Sequence, residues 1–175
     1  MERERKLAEK KTLSNELVKL IPMIKEDYEW VYAAASDPKI WEQHPDTRRY
    51  SPIGFTKYFQ KLIATDIPYL IIDQQTEQVI GATSFYEFNE EEKSIAIGYS
   101  FLKTEYWGGE YNKSIKKLML DFAFEQVDKV IFHVRKGNLR SQAALSKIGA
   151  IEESEYPAKD GSGVQVQYYI RKEDY

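Results

Sequence analysis

Residues 101–112 read Phe101-Leu102-Lys103-Thr104-Glu105-Tyr106-Trp107-Gly108-Gly109-Glu110-Tyr111-Asn112, and the order of elements follows from what flanks them. Upstream, Ser94 to Leu102 alternates, with Ile95, Ile97, Tyr99 and Phe101 on one face, which is the period of a half-buried strand. Downstream, Ile115, Leu118, Met119 and Phe122 recur at i, i+3, i+4 and i+7, the stripe of a helix packed on one side, with Asn112 as its N-cap. Gly108 and Gly109 therefore stand just ahead of a helix N-terminus, where unpaired N–H groups and the helix dipole favour an anion such as a pyrophosphate. Lys113, Lys116 and Lys117 fall in the first turns, where a cation opposes the dipole at roughly 0.3–1 kcal/mol each unless an anion compensates. The same residues also read as a plain turn beside a solvated lysine face, and the local pattern alone leaves both readings standing.

Working outward, Leu17 to Met23 reads as a short strand ending near Pro22, and Glu26 to Ala35 as a helix with Trp30 and Val31 facing in. Residues 41–52 are rich in turn formers and precede an amphipathic helix, Phe55 to Ala64, so that helix, loop and helix together make a lid. Three strands follow, Tyr69 to Ile72, Val79 to Phe88 and Ser94 to Leu102, the last two joined by the tract Asn89 to Lys93 as a hairpin. Beyond the central helix, Val130 to Val134 is a strand. Asn138 caps a helix that Gly149 closes, and Ile151 to Tyr156 and Val164 to Ile170 are strands linked by residues 159–163. The fold class is mixed α/β (α+β), a mostly antiparallel sheet of about seven strands with about four helices.

Composition narrows the function. A chain of 175 residues, 42% hydrophobic and 14% aromatic, buries one sizeable core and is too short for two ordinary domains. Residues 13–175 are expected to form that domain, and residues 1–12 a charged tail or helix. No apolar run has membrane-spanning length, and the charged start lacks the apolar stretch of a secretory signal, so a cytoplasmic protein is expected. Cysteine is absent, which removes a cysteine nucleophile and zinc–thiolate chemistry. Two distant histidines give no metal-ligand spacing, so no metal is expected. A net charge of -3 gives no reason to expect a nucleic-acid partner and suits a cationic or neutral amine.

The order strand, two helices, three antiparallel strands, glycine loop, helix, strand, helix and two strands resembles the GNAT acyl-CoA N-acyltransferase fold over nearly the whole chain. Residues 101–112 resemble the superfamily's acetyl-CoA motif. Asn138-Leu139-Arg140-Ser141 with Lys147-Ile148-Gly149-Ala150 resembles its second motif, in the manner of the ribosomal-protein alanine N-acetyltransferase branch. The resemblance implies an N-acetyltransferase that moves an acetyl group from acetyl-CoA to a primary amine of a protein N-terminus or small molecule. It also implies that Phe101 and Leu102 offer backbone hydrogen bonds to pantetheine. Trp107, Gly108, Gly109, Tyr111, Asn112 and Lys113 then hold the pyrophosphate, with Asn138 and Ser141 facing the thioester. The loop departs from the family pattern, with Trp107, Glu110 and Asn112 at its three defined positions. A carboxylate at Glu110 is repelled by a pyrophosphate unless its side chain turns outward.

In that family the amine attacks the thioester directly, so positioning, a general base and donors to the oxyanion and thiolate carry the rate. Glu87, late in its strand, is the candidate base and acceptor contact, and Asn138 and Ser141 complete the catalytic set. Family members often carry a glutamate on the following strand, where this chain has Ala96. A weak base or water relay favours α-amines, with an unperturbed pKa of about 7.7–8, over lysine at about 10.4. Trp41, His44 and Arg48, in the lid, are placed at the acceptor pocket, although Trp41 equally anchors the loop to the core. His133, between apolar strand neighbours, reads first as structural. The alternative is a non-catalytic acyl-CoA-binding regulatory module on the same fold. A monomer and a homodimer both remain open.

Overall fold

The computed structural model describes residues 11–159 and 161–175, so the charged segment expected over 1–12 lies outside the described residues except for Lys11 and Thr12. One sheet organises the rest. Its strands are β1 (Leu13–Ser14), β2 (Val18–Pro22), β3 (Ile67–Asp73), β4 (Val79–Asn89), β5 (Ser94–Leu102), β6 (Lys129–Arg135), β7 (Ile151–Pro157) and β8 (Val164–Arg171), in the order β1-β2-β3-β4-β5-β6-β8-β7. All neighbours pair antiparallel except β5 and β6, which run parallel. The eighth strand beyond the seven expected is β1, two residues long and too short to show a period.

Among the described residues four α-helices flank the sheet: α1 (Tyr28–Ala35), α2 (Pro52–Ile63), α3 (Glu110–Ala123) and α4 (Leu139–Lys147). Because successive strand residues point to opposite faces, the sheet feeds two cores. Leu70, Ala82 and Phe101 join Val31, Trp41, Phe55, Tyr58 and Leu62 on the α1 and α2 face. Tyr69, Ile71, Phe85, Ile95 and Ile97 join Ile115, Met119, Phe122 and Leu145 on the other. Burying each large side chain contributes on the order of 1.5–3 kcal/mol, so the two layers hold the sheet edges that shape the site.

Four expectations change. The alternation in β5 does not keep one face: a register shift after Gly98 leaves Ile95 and Ile97 in one core and Phe101 in the other. Trp30 is 66% exposed while Val31 is fully buried, because adjacent helical residues lie about 100° apart and only one meets this narrow interface. The N-cap of α3 is Gly109 rather than Asn112, with Glu110, Tyr111 and Asn112 already helical. The strand expected over 69–72 extends to Ile67–Asp73, so Pro68 lies within it.

Candidate active site

Strands β5 and β6 pair at only three positions, Ser94 with Lys129, Ile95 with Val130 and Ala96 with Ile131. Beyond Ala96 they part, and from Ile97 to Leu102 the β6-facing edge of β5 has no strand beside it. Buried N–H and C=O groups require partners, so such an edge inside a fold is a place for an extended ligand. It opens on a cleft of about 950 Å3.

Two bulges shape the cleft. Between the pairs Ser84/Gly98 and Ala82/Phe101, β5 carries one extra residue, and Tyr99 there has φ 55°. Between Tyr86/Ala96 and Asn89/Ser94 the extra residue lies on β4, and Glu87 has φ 53°. A left-handed conformation at a non-glycine residue costs of order 1–3 kcal/mol and clusters at functional sites. The carbonyl of Tyr99 accepts from the buried Tyr58 hydroxyl, which ties the β5 bulge to α2. Gly98 permits the Tyr86 ring to lie against β5, since a Cβ there would meet that ring at 2.8 Å.

At the far end of β5, Trp107 donates from Nε1 to the Leu102 carbonyl at 2.9 Å, pinning the glycine loop. Gly108 has φ +73°, which favours glycine. No side chain caps α3, so its first N–H groups stay available to an anion. Glu110 is exposed and lines a depression with Lys113, Ser114 and Lys117 that adjoins the cleft at Lys116, and Glu110 itself lies outside the cleft. The outward turn required of that carboxylate is thus the one observed. The three lysines do not act as a set. Lys113 faces outward, Lys117 pairs with Asp121 at 3.1 Å, and Lys116 is buried along the cleft, where desolvation pushes its pKa from 10.5 down to about 8.

Opposite the glycine loop stands α4. Asn138, 4% exposed, accepts with Oδ1 from the Ser141 N–H at 3.2 Å, so one end of its amide caps the helix and the other remains for a ligand. Ser141 and Arg140 also line the cleft. The Arg140 guanidinium stacks 3.8 Å from the Trp107 ring centroid and donates to the Ile40 carbonyl at 3.3 Å, bridging the glycine loop and the segment before α2.

On the remaining wall Glu87 Oε2 lies 3.7 Å from His133 Nε2, and His133 Nδ1 meets the Tyr156 hydroxyl. Burial lowers the His133 pKa, partly offset by the Glu87 carboxylate, so the ring is held neutral near physiological pH. Tyr86 packs 5.1 Å from Tyr99 and 6.0 Å from His133. The result is an aromatic pocket with one carboxylate at its rim.

Of the residues expected at the site, Glu87, Asn138, Ser141, Phe101, Leu102, Trp107, Gly108, Asn112 and His44 line this one cleft. Gly109, Tyr111 and Lys113 do not. Tyr111 instead donates to Asp73 at 3.0 Å beside Tyr106, which donates to the same carboxylate at 3.1 Å. Trp41 is fully buried beneath the cleft, its Nε1 donating to the Ala35 carbonyl at 2.8 Å, so it anchors the lid segment. His44 packs against Trp41 at 4.8 Å, and burial with Arg49 and Arg140 nearby lowers its pKa from 6.5 to about 3. Arg48 points to solvent and pairs with Asp46 at 3.3 Å, while Arg49 is the arginine of that segment that lines the cleft. Sequence reasoning missed Arg49, Arg140 and the Glu87–His133–Tyr156 contact. The cations and aromatics that follow Trp41 are the signal for Arg49, and the position inside Asn138-Leu139-Arg140-Ser141 is the signal for Arg140.

A mixed sheet whose two parallel strands part over an uncapped helix N-terminus defines the class: an acyl-CoA N-acyltransferase fold. The chain belongs to the acetyltransferase (GNAT) domain family, whose model matches residues 18–151. That family transfers an acyl group from acyl-CoA to an amine. No curated protein matches the sequence. Among solved structures, a GCN5-related N-acetyltransferase from Brucella melitensis is 15% identical with a TM-score of 0.83, covering 95% of this chain and 81% of its own. RimJ of Mycobacterium smegmatis in complex with CoA-disulfide is 17% identical with a TM-score of 0.74, covering 95% and 90%. The ribosomal-protein-S5-alanine acetyltransferase of Vibrio fischeri is 14% identical with a TM-score of 0.68, covering 94% and 98%. At these identities the likeness is one of fold. Among the described residues no helix is long and apolar enough to cross a membrane, and no group of three potential ligands could hold a metal ion.

Proposed function

We propose that this chain is an acetyl-CoA-dependent N-acetyltransferase acting on a primary amine. The observation that carries the reading is the parting of β5 and β6 beyond Ala96, which places an unpaired strand edge, an uncapped α3 and the Asn138–Ser141 turn around one cleft. Acetyl-CoA supplies the activated acyl group when bound. Its pantetheine would lie along the free edge of β5 at Phe101 and Leu102, and its pyrophosphate at the α3 N-terminus beside Gly108 and Asn112, with the buried Lys116 adding a cation.

The chain's own groups then divide the work. Glu87 at the bulged end of β4 takes the ammonium proton of the acceptor. His133 behind it, held by Tyr156, orients that carboxylate and spreads the charge. Asn138 offers its remaining amide donors and Ser141 its hydroxyl to the thioester end. The tyrosines line the pocket beside these groups and lower the local dielectric, which strengthens contacts made deeper in the cleft. An acceptor whose amine loses its proton readily suits a single exposed carboxylate, so α-amines are favoured over lysine side chains.

The test is thiol release from acetyl-CoA by the purified protein against a panel of primary amines, with the acetylated product identified by mass. Amine-dependent release is expected. Binding of acetyl-CoA without release to any amine would return the chain to a non-catalytic acyl-CoA-binding module.

A further inference from the structure

Arg49 stands in an unusual position for a cation. It lines the cleft with its guanidinium 5.0 Å from the Tyr58 ring centroid and 5.6 Å from that of Trp41. Both rings are buried, and the arginine itself is half-buried beside them. Among the described residues its guanidinium makes no hydrogen bond and no ion pair. Asp46 acts on it only from a distance, because that carboxylate is engaged by Arg48 at 3.3 Å. The other cleft arginines are occupied, Arg135 by Ser162 and Arg140 by Ile40 and Trp107. Of the cleft lysines, Lys61 and Lys159 are exposed, and Lys116 is buried on α3.

Two ring faces within about 6 Å hold the guanidinium by cation–π attraction and leave the N–H groups of its fork unspent at the cleft. Such a group in a partly dehydrated place lacks an anion, and the fork matches a carboxylate in two parallel hydrogen bonds. Tyr99, in the β5 bulge, lies within electrostatic reach of both Arg49 and Glu87. Arg49, Tyr99 and Glu87 all line the same cleft, so a cation and a carboxylate share it with that phenol.

We infer that Arg49 is a specificity residue that binds a carboxylate of the acceptor, so that the preferred substrate is an α-amino acid or a peptide carrying an acidic group beside its free amine. This rests on the acetyltransferase reading and names its substrate class. In the productive arrangement the acceptor's amine lies toward Glu87 and its carboxylate toward Arg49, spanning Tyr99. Acceptors with the amine but no anion lose the second anchor and bind in more than one orientation.

The experiment compares four acceptors at saturating acetyl-CoA: alanine, alaninamide, and the C-terminally amidated peptides alanyl-aspartate and alanyl-asparagine. Wild type is expected to favour an acid over its amide partner by about tenfold or more in kcat/KM. Preference for alanine places the carboxylate on the α-carbon, and preference confined to the peptide pair places it on the second residue. Arg49→Met keeps the packing on Trp41 and Tyr58 and should remove that preference through KM, leaving the amide acceptors and the Kd of acetyl-CoA unchanged. Arg49→Lys, which keeps the charge without the fork, should fall between. Equal transfer to acid and amide by wild type would overturn the assignment while leaving the acetyltransferase standing. So would an equal loss on every acceptor, or an effect of Arg49→Met confined to acetyl-CoA Kd. No transfer to any amine, with acetyl-CoA bound, would overturn both.

Discussion

Lys116 should make the ligand-free protein less stable than it would be with an uncharged side chain of the same length. The residue is 8% exposed in the second turn of α3, and desolvation lowers its pKa from 10.5 to about 8. Below pH 8 the lysine is protonated in both folded and unfolded chains, and the folded chain carries the cost of a buried ammonium. From 10.5 to about 8, at ~1.4 kcal/mol per pH unit, that cost is about 3 kcal/mol. Between pH 8 and 10.5 the unfolded chain binds more protons than the folded one, so stability rises with pH and the penalty disappears. Lys116→Met keeps the aliphatic packing and removes the charge. At pH 7 it should raise the thermal midpoint by roughly 6–12 °C, and that advantage over wild type should shrink steadily from pH 8 to pH 10.5. The same substitution should weaken acetyl-CoA by about tenfold, because the buried ammonium meets its anion only in the complex. Calorimetric melts of both proteins across that pH range measure the effect. An unchanged or lower midpoint for Lys116→Met at pH 7, or a difference independent of pH, would refute the reasoning.

Glu87→Gln keeps the bulge and removes the base, so kcat/KM should fall by about 10²–10⁴ with little change in acetyl-CoA affinity, read by thiol release and calorimetry. His133→Gln should alter the acidic limb of the pH–rate profile: burial places the wild-type His133 pKa below its ordinary 6.5, so that limb falls as pH drops through the lowered value, and the variant loses it. Asn138→Ala should cost about 1 kcal/mol of stability through the lost helix cap and also reduce turnover, whereas Ser141→Ala should reduce turnover with the melting midpoint unchanged. Trp41→Ala should destabilise by about 3–5 kcal/mol in chemical denaturation, as a fully buried anchor and not a substrate contact would.

Much of the fold is legible because its signals are local. The alternation in β5, the stripe from Ile115 to Phe122 and the glycines at 108 and 109 each encode one element, and their order matches one architecture. The strand edge that forms the site is not local. Nothing in the Ser94 to Leu102 pattern distinguishes a strand paired along its whole length from one that loses its parallel neighbour after Ala96. The bulges are nearly as silent, because their left-handed residues, Glu87 and Tyr99, are not the glycine or asparagine that usually takes that conformation, and only Gly98 beside Tyr99 hints at one. Trp30 and Trp41 illustrate the limit of composition: two tryptophans from neighbouring segments end with one mostly exposed and one fully buried. Which cation lines the cleft follows from the register of a few turns. Arg48 and Arg49, adjacent in sequence, point to solvent and to the cleft, and Lys116 and Lys117 divide in the same way.

The central claim is that the gap between β5 and β6 receives acetyl-CoA, and calorimetric titration of acetyl-CoA into the purified protein without any acceptor tests it most directly. Saturable one-to-one binding is predicted, weakened when Gly108 is replaced by valine, whose β-branched side chain resists the φ of +73° in the loop ahead of α3. Absence of binding by the wild-type protein, or full affinity in a folded Gly108→Val variant, would contradict the account.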